Sequence, residues 1–458
     1  MSAEAATRAQ TISVVLAAEL ESRLPGHGAR LGWDAQRLAR HQRERLRELL
    51  AVAIERSPFH AGRLAGVDPA RFDLDDLERL PVMTKAEMMG AYDEVVTDRR
   101  LTRATVEQHL AGSVDEPDLL FDEYVCLASG GSSGVRGIFA HRVGEYADFG
   151  ASVMRNGWAR MSAMGGPPPG GVVVAMVGAS SSIHSTGLAA AVVRDGPFRF
   201  HAAPATAPLE RTVEVLNELS PVLLMGYPGR LAQLARERAA GRLEVAPVSI
   251  TSTSEPLGAE QRAAIEAGFG VPVVDQFAST EGLAGQTEPG GTVHTFADDM
   301  CIAELVDADN RPVAPGETSA KVLVTNLHNF TQPIIRYELT DRFTAEPAVR
   351  DGAFLRARVE GRADEVFRYG LVEVQPHALR SPLVGAAVRE HRVRQTADGV
   401  DVEVVGDEVD AAALAQALES SLVTAGVEDA RATVRVVERI ERDPVTAKTR
   451  RFVPLPRA

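Results

Sequence analysis

Between Tyr124 and Phe277 the chain alternates short apolar runs with longer amphipathic stretches. The runs are Tyr124–Leu127, Val172–Val177, Pro221–Met225, Val248–Thr251 and Val271–Val274; Glu145–Met161, Arg211–Leu219, Arg230–Ala240 and Ala259–Ala267 lie among them. Runs of four to six residues suit buried strands, and the stretches between them are long enough for helices. One helix starts after Pro228 and ends before Gly241, the asymmetry expected of helix ends. Strands that alternate with helices predict an α/β fold of largely parallel sheets covered by helices. Upstream, Leu46, Leu49, Leu50 and Ala53 form one apolar helical stripe, and Ser57–Leu80 reads as loop and short helix. From Cys301 to Phe343 the pattern turns mainly β. After Asp364, a strand (Asp401–Val405), a helix (Ala411–Val423) and a strand (Thr433–Glu438) predict a small α+β unit. The expected domains are therefore residues 1–363 and 364–458.

The 458 residues carry 49 basic and 63 acidic side chains, a net charge of −14. A net anion is repelled by phosphate backbones and anionic lipid, which argues against nucleic-acid and membrane partners. Two cysteines, Cys126 and Cys301, can build neither a four-cysteine zinc site nor a disulfide framework. The segment Met1–Leu20 carries Glu4, Arg8 and Glu19 and does not read as a secretory signal. No apolar run approaches the roughly 20 residues of a membrane span, so the expected location is cytoplasmic. Only three of the 49 basic residues are lysines: Lys85, Lys321 and Lys448. Arginine does not easily replace a compact ammonium that must reach one oxygen, so each lysine is a candidate for a special task.

The strongest local signal is Ser129-Gly130-Gly131-Ser132-Ser133-Gly134, directly after the apolar run Tyr124–Leu127. Glycines let backbone N–H groups converge on an anion and serine hydroxyls add donors, so such a loop can wrap a triphosphate. The same composition equally suits a flexible surface loop. It also matches Gly-x-Ser-x-Gly, the nucleophile elbow of α/β-hydrolases, with Ser132 as nucleophile and His184 or His294 as base. The elbow needs a helix after the turn, whereas Val135–His141 looks extended. No lysine follows a glycine, which removes the Walker loop, and no Gly-x-Gly-x-x-Gly exists.

Thr280 and Glu281 follow the run Val271–Val274, at the strand end where α/β sheets bind ligands. Thr280 suits a phosphate oxygen and Glu281 suits Mg²⁺, a hard cation, although Thr-Glu is equally a helix start. Within Gln332–Arg342, Asp341 ends an apolar run and could accept hydrogen bonds from a ribose diol. Two further polar clusters are Gly361-Arg362-Ala363-Asp364-Glu365 and Val445–Arg451, which holds Lys448.

This ordered succession resembles the adenylate-forming superfamily of acyl-CoA synthetases and adenylation domains. It is most similar to the phenylacetate–CoA ligase branch, over roughly residues 36 to 455. Pro81-Val82-Met83-Thr84-Lys85 is similar to that branch's Pro-x-Thr-Thr-Lys, Ser57-Pro58-Phe59 to its Ser-Pro-Phe-Tyr, and Gln332–Asp341 to its Gln-Pro-x-x-Arg-Tyr-x-x-Gly-Asp. The resemblance implies a large adenylation domain and a small mobile one. It implies activation of a carboxylic acid, aromatic or small acyl, with ATP and Mg²⁺, then transfer to coenzyme A. Ser129 to Gly134 would hold the β- and γ-phosphates. Ser254-Glu255-Pro256 would form the adenine-pocket turn, and Phe277 would stack on adenine. Thr280 would bind the α-phosphate and Glu281 the metal. Asp341 and Arg362 would grip the ribose, Asp364 would be the hinge, and Lys448 would bridge the acyl carboxylate and the α-phosphate. Gly226, Tyr227, His184 and Ala278 would line the acid pocket.

Departures from the family pattern bear on the second step. Arg136 stands where proline is usual, and Ala278, Thr340 and Ala447 replace glycines. Gly370-Leu371 stands where the family has Arg-Gly in the thiol-entry loop. A carrier-protein thiol or an amine is therefore an alternative acceptor, a serine hydrolase using Ser132 is the alternative of another class, and a homodimer is left open.

Overall fold

Nine strands build the central sheet of the computed structural model, which describes residues 3–113, 117–129, 136–166, 168–178, 181–193, 197–205, 207–347, 354–362, 365–370, 372–374, 376–384, 388–406, 408–442 and 449–455. In chain order the strands are β1 (Tyr124–Ala128), β2 (Ile138–Arg142), β3 (Val172–Gly178), β4 (Phe198–Pro204), β5 (Leu223–Gly226), β6 (Ser249–Thr253) and β7 (Val273–Ala278). There follow β8 (Ala284–Thr287), β9 (His294–Phe296), β10 (Cys301–Val306), β11 (Lys321–Asn326), β12 (Tyr337–Leu339), β13 (Asp341–Ala345) and β14 (Arg356–Arg362). The central order is β13-β14-β9-β8-β7-β6-β5-β3-β4. Strands β4, β3, β5, β6 and β7 run parallel, and antiparallel β8 and β9 continue the sheet. Outside it, β1 and β2 form an antiparallel hairpin, and β10, β11 and β12 an antiparallel sheet.

Period-two alternation explains why the parallel strands are apolar throughout. Val174 and Met176 face one core with the helix Val143–Ala163, while Ala175 and Val177 face another with Leu216, Leu231 and Leu234. Both faces are buried, as parallel sheets require. The stripe Leu46, Leu49, Leu50 and Ala53 is buried on the helix Ala35–Arg56. The sequence reading passed over the helix Ala3–Arg30, which buries Ile12, Leu16, Leu20 and Leu24 at four-residue spacing. It also passed over β4 and the helix Ser185–Val192. No described helix is long and apolar enough to cross a membrane.

The chain divides into two units, residues 1–339 with 343–359, and residues 340–342 with 360–458. In the second, a four-stranded sheet holds Val388–Gln395, Gly399–Gly406, Arg431–Val436 and Phe452–Val453. Leu414, Leu418 and Leu422 of the helix Ala411–Thr424 share a core with Val393, Val402 and Phe452. Phe452 pairs with Val393, and the Val393 amide donates to the Arg451 carbonyl at 2.7 Å, so residues 451–453 are anchored in this sheet.

Three buried histidines make stability depend on pH. Burial is the main cause that holds His60 and His328 down to about 4 and His141 to about 3, against an ordinary value of 6.5. The unfolded chain takes up these protons first, so the histidines' contribution is full above pH 6.5 and falls as pH drops towards 4, opposed in part by Asp298, which burial lifts to about 7. Each histidine forfeits at most about 1.4 kcal/mol per pH unit. Urea unfolding at pH 7 and pH 5 should show a clear loss at the lower pH; equal midpoints would refute the assignment.

Candidate active site

The parallel strands β3, β5, β6 and β7 deliver their C-terminal ends to one edge of the sheet, in register. Val177 lies opposite Gly226, Gly226 opposite Ser252, and Thr253 opposite Gln276. The segments that follow these strands therefore emerge side by side, and they carry Tyr227, Ser254-Glu255-Pro256 and Ser279-Thr280-Glu281. This edge is where open α/β sheets bind ligands.

Each segment has a local reason for its shape. Gly226 permits the close approach of β5 to β3, because a Cβ there would lie 2.6 Å from the Val177 carbonyl oxygen. Tyr227 starts the helix Pro228–Ala239 and is fully buried, its ring against Gly178. Ser254 takes a left-handed φ of +68°, the conformation that a glycine adopts without steric cost. Phe277 meets Phe296 and Phe343 edge-on, with ring centroids 5.9 and 5.2 Å away.

Ser279 to Leu283 form a tight turn between β7 and β8, not the start of a helix. The Ser279 amide donates to the Leu283 carbonyl at 2.9 Å, and the Gly282 amide to the Ser279 carbonyl at 3.0 Å. Gly282 has φ +109°, and a Cβ there would lie 2.1 Å from the Asn326 amide nitrogen. Glu281 is 5% exposed, and among the described residues no donor hydrogen-bonds its carboxylate. The Cys301 thiol is pushed up by burial, then by the Asp298 and Glu281 carboxylates. Burial likewise lifts Cys126 to about 12, so neither cysteine supplies a thiolate.

The hairpin of β1 and β2 is closed by Ser129. Its amide donates to the Gly137 carbonyl at 2.9 Å and its hydroxyl accepts from the Gly137 amide at 3.0 Å. Gly130, Gly131, Ser132, Ser133 and Gly134 lie outside the described residues. A strand follows them, not the helix that a hydrolase elbow needs. Of the two candidate bases, His184 bonds the Ala128 carbonyl through one ring nitrogen at 2.9 Å, and one ring nitrogen of His294 lies 3.4 Å from Asp275. His184 is thereby tied to the strand that leads into Ser129, and Ala278 is exposed at the end of β7.

Asp341 and Arg362 belong to the second unit. Asp341 does not end an apolar strand, as the sequence suggested; β12 stops at Leu339 and Asp341 opens β13. Thr340 separates the two strands, and its hydroxyl accepts a bond from the Arg362 guanidinium at 3.0 Å. Asp364, Leu371 and Lys448 lie outside the described residues.

No protein-family model matches the chain, and no curated protein matches it. Solved structures do. A 2-hydroxyisobutyryl-CoA ligase in its postadenylation state, in complex with 2-HIB-AMP, superposes with a TM-score of 0.66 at 22% identity, covering 93% of this chain and 91% of that one. ATP-bound MatB from Rhodopseudomonas palustris gives a TM-score of 0.52 at 17% identity, over 70% of this chain and 65% of that one. The fold is that of the adenylate-forming ligases. On this adenylate-forming ligase fold, the Thr280–Glu281 corner fits a hard divalent cation. Glu281 is a largely buried residue, no described residue donates a hydrogen bond to its carboxylate, and Mg²⁺ is commonly held by one or two carboxylates plus substrate phosphates.

The sequence reading assigned no task to Arg336 or to the segment before Lys85. Arg336, 3% exposed, clasps Glu304 through two bonds of 3.0 and 2.9 Å and donates to the Leu80 and Glu78 carbonyls. Met83 pairs with the same strand, accepting from the Glu338 amide at 2.9 Å. The run that contains Lys85 is thus a docking segment, and Lys85 itself begins a helix capped by Thr84. The legible signal was the co-occurrence of Pro81–Lys85 with Gln332–Tyr337, which says that the two segments matter but not that they touch.

Proposed function

We propose that this protein activates a carboxylic acid with ATP and Mg²⁺ and passes the acyl group to a thiol, coenzyme A in the first instance. The observation that carries the reading is the Thr280–Glu281 corner. It sits at the C-terminal edge of the parallel sheet, next to the Ser254–Pro256 turn, on a fold whose solved relatives include acyl-CoA ligases. In the first step a carboxylate oxygen attacks the ATP α-phosphorus, the bond from that phosphorus to the β-bridging oxygen breaks, and pyrophosphate leaves. In the second, a thiol sulfur attacks the acyl carbon, AMP leaves and the thiol proton is released.

Each residue then has a task. Ser129 to Gly134 hold the β- and γ-phosphates, and Ser254, Glu255, Pro256 and Phe277 receive the adenine. Thr280 bonds the α-phosphate, and Glu281 holds Mg²⁺, which neutralises charge on the phosphates. Asp341 and Arg362 take the ribose diol, with the hinge at Asp364 between domains 1–363 and 364–458. Gly226, Tyr227, His184 and Ala278 surround the acid, whose carboxylate Lys448 meets. A pentavalent phosphorus gathers negative charge, so fixed cations and donors at the α-phosphate supply most of the catalysis. Buried Tyr227 favours a compact or aromatic acid. Leu371 in place of the family's glycine favours a test of other acceptors, a carrier-protein thiol or an amine.

Pyrophosphate release across a panel of carboxylic acids, with and without coenzyme A, tests the reading; silence on every acid would overturn it. Lys448→Ala should lower acyl-adenylate formation by on the order of 10²-fold or more while ATP still binds, the loss expected when one donor to a developing charge is removed. Unchanged pyrophosphate release would remove Lys448 from the mechanism.

A further inference from the structure

The Thr280–Glu281 corner is not held by its own strands alone. Three fully buried amide side chains, Asn326, Asn329 and Gln332, run from this corner to the β1–β2 hairpin. The Asn326 amide nitrogen donates to the Glu281 carbonyl at 2.8 Å, while its oxygen accepts from the amides of His328 and Asn329, both at 2.9 Å. The Asn329 oxygen in turn accepts from the Gln332 amide at 2.9 Å, and its nitrogen donates to the Ala140 carbonyl at 3.1 Å. Gln332 completes the chain on β2. It accepts from the Ala140 amide at 2.9 Å and donates to the Ile138 carbonyl at 3.1 Å. Two side chains thus replace a third strand along the outer edge of a two-stranded hairpin.

We propose that Asn326 is a positioning residue that sets the Glu281 carboxylate for a divalent cation, and that the run Asn326–Gln332 couples this corner to the hairpin bearing Ser129. The proposal rests on the reading that Glu281 holds Mg²⁺. Its physical content is specific to the amide. Only a side chain with a donor and an acceptor on one short branch can take two N–H groups from the turn and give one bond to the Glu281 carbonyl. Gly282 is shaped to the same contact, since any Cβ there would occupy the place of the Asn326 nitrogen. In this dry setting an unmade bond leaves the Glu281 carbonyl without its partner and frees the peptide that aims the carboxylate. Partners that orient a ligand typically change metal affinity about 10- to 100-fold when removed.

The test is calorimetric titration of the full chain with ATP at a series of Mg²⁺ concentrations. It needs no knowledge of the acid. Asn326→Asp keeps the acceptor for the turn and removes the donor to Glu281. It should raise the Mg²⁺ concentration for half-saturation about tenfold or more. In a Glu281→Gln background the same change should have little further effect, because the side chain through which Asn326 acts has gone. Should Asn326→Asp fail to fold, Asn326→Ser removes the amide without adding charge and is read in the same way. A folded variant with unchanged Mg²⁺ dependence, or an equal loss in both backgrounds, overturns the positioning role. Wild-type protein that binds no ATP at any Mg²⁺ concentration overturns the functional reading, and the inference with it; that failure is seen before any variant is made.

Discussion

Glu281→Gln should remove Mg²⁺-dependent pyrophosphate release while leaving the fold about as stable as before. The two halves of this expectation have different causes. Glu281 is 5% exposed as a residue and no described residue donates a hydrogen bond to its carboxylate, so the substitution breaks no described bond. A neutral amide of the same shape keeps the packing and removes only the charge. The amide is also a poor ligand for a hard cation, and losing the metal's neutralisation of phosphate charge should reduce kcat on the order of 10²-fold or more. A purely structural glutamate would show the reverse, lower stability with activity per folded molecule retained. Pyrophosphate release measured beside thermal unfolding separates the cases, and full activity in Glu281→Gln would sink the metal assignment.

Arg336→Met should be the most damaging substitution to stability, about 3–5 kcal/mol. The guanidinium is 3% exposed, pairs with Glu304 and closes the Leu80 carbonyl at 2.6 Å, so its loss strands a carboxylate and two carbonyls. Burial already holds the Glu304 carboxyl above its ordinary range, with Arg336 pulling it back down. Without Arg336 it rises further. A carboxyl raised in the folded state favours folding only while protonated, so the defect should grow as pH rises through the glutamate range and ease in acid. Chemical unfolding of wild type and variant at pH 5 and pH 8 measures the difference; a gap that narrows with rising pH would contradict the pairing.

Much of the fold was legible because burial on both faces leaves a plain mark. β3, β5, β6 and β7 appear as apolar runs within a few residues of their observed bounds, and so do the helices Val143–Ala163, Leu209–Leu219, Pro228–Ala239 and Ala259–Phe269. β4 was not legible, since Phe198-Arg199-Phe200-His201 alternates as an edge strand does. The N-terminal helix was not legible because its buried residues Ile12, Leu16, Leu20 and Leu24 are mixed with apolar but exposed Val14 and Val15, and the stripe makes sense only against the helix Val143–Ala163.

At the candidate site, the residue types that handle phosphate and metal are written in the chain: Gly/Ser at 129–134, Thr280 with Glu281, an aspartate at 341. Such chemistry is local to each motif. Gln332 enters the sequence reading only as the first residue of a family-like motif and Asn326 only as the end of a β run, until the fold places them with Asn329, wholly buried, between two turns. Arg336 likewise becomes a clasp only where Glu304, Leu80 and Glu78 converge on it. A side-chain amide or guanidinium acquires its role from partners as many as 258 positions away, and such pairings leave no periodic trace in one sequence. Strand order, the shared sheet edge and the network beneath it were therefore decided by tertiary structure alone. The alternation of strand and helix, and the chemistry offered at each turn, were determined by the sequence itself.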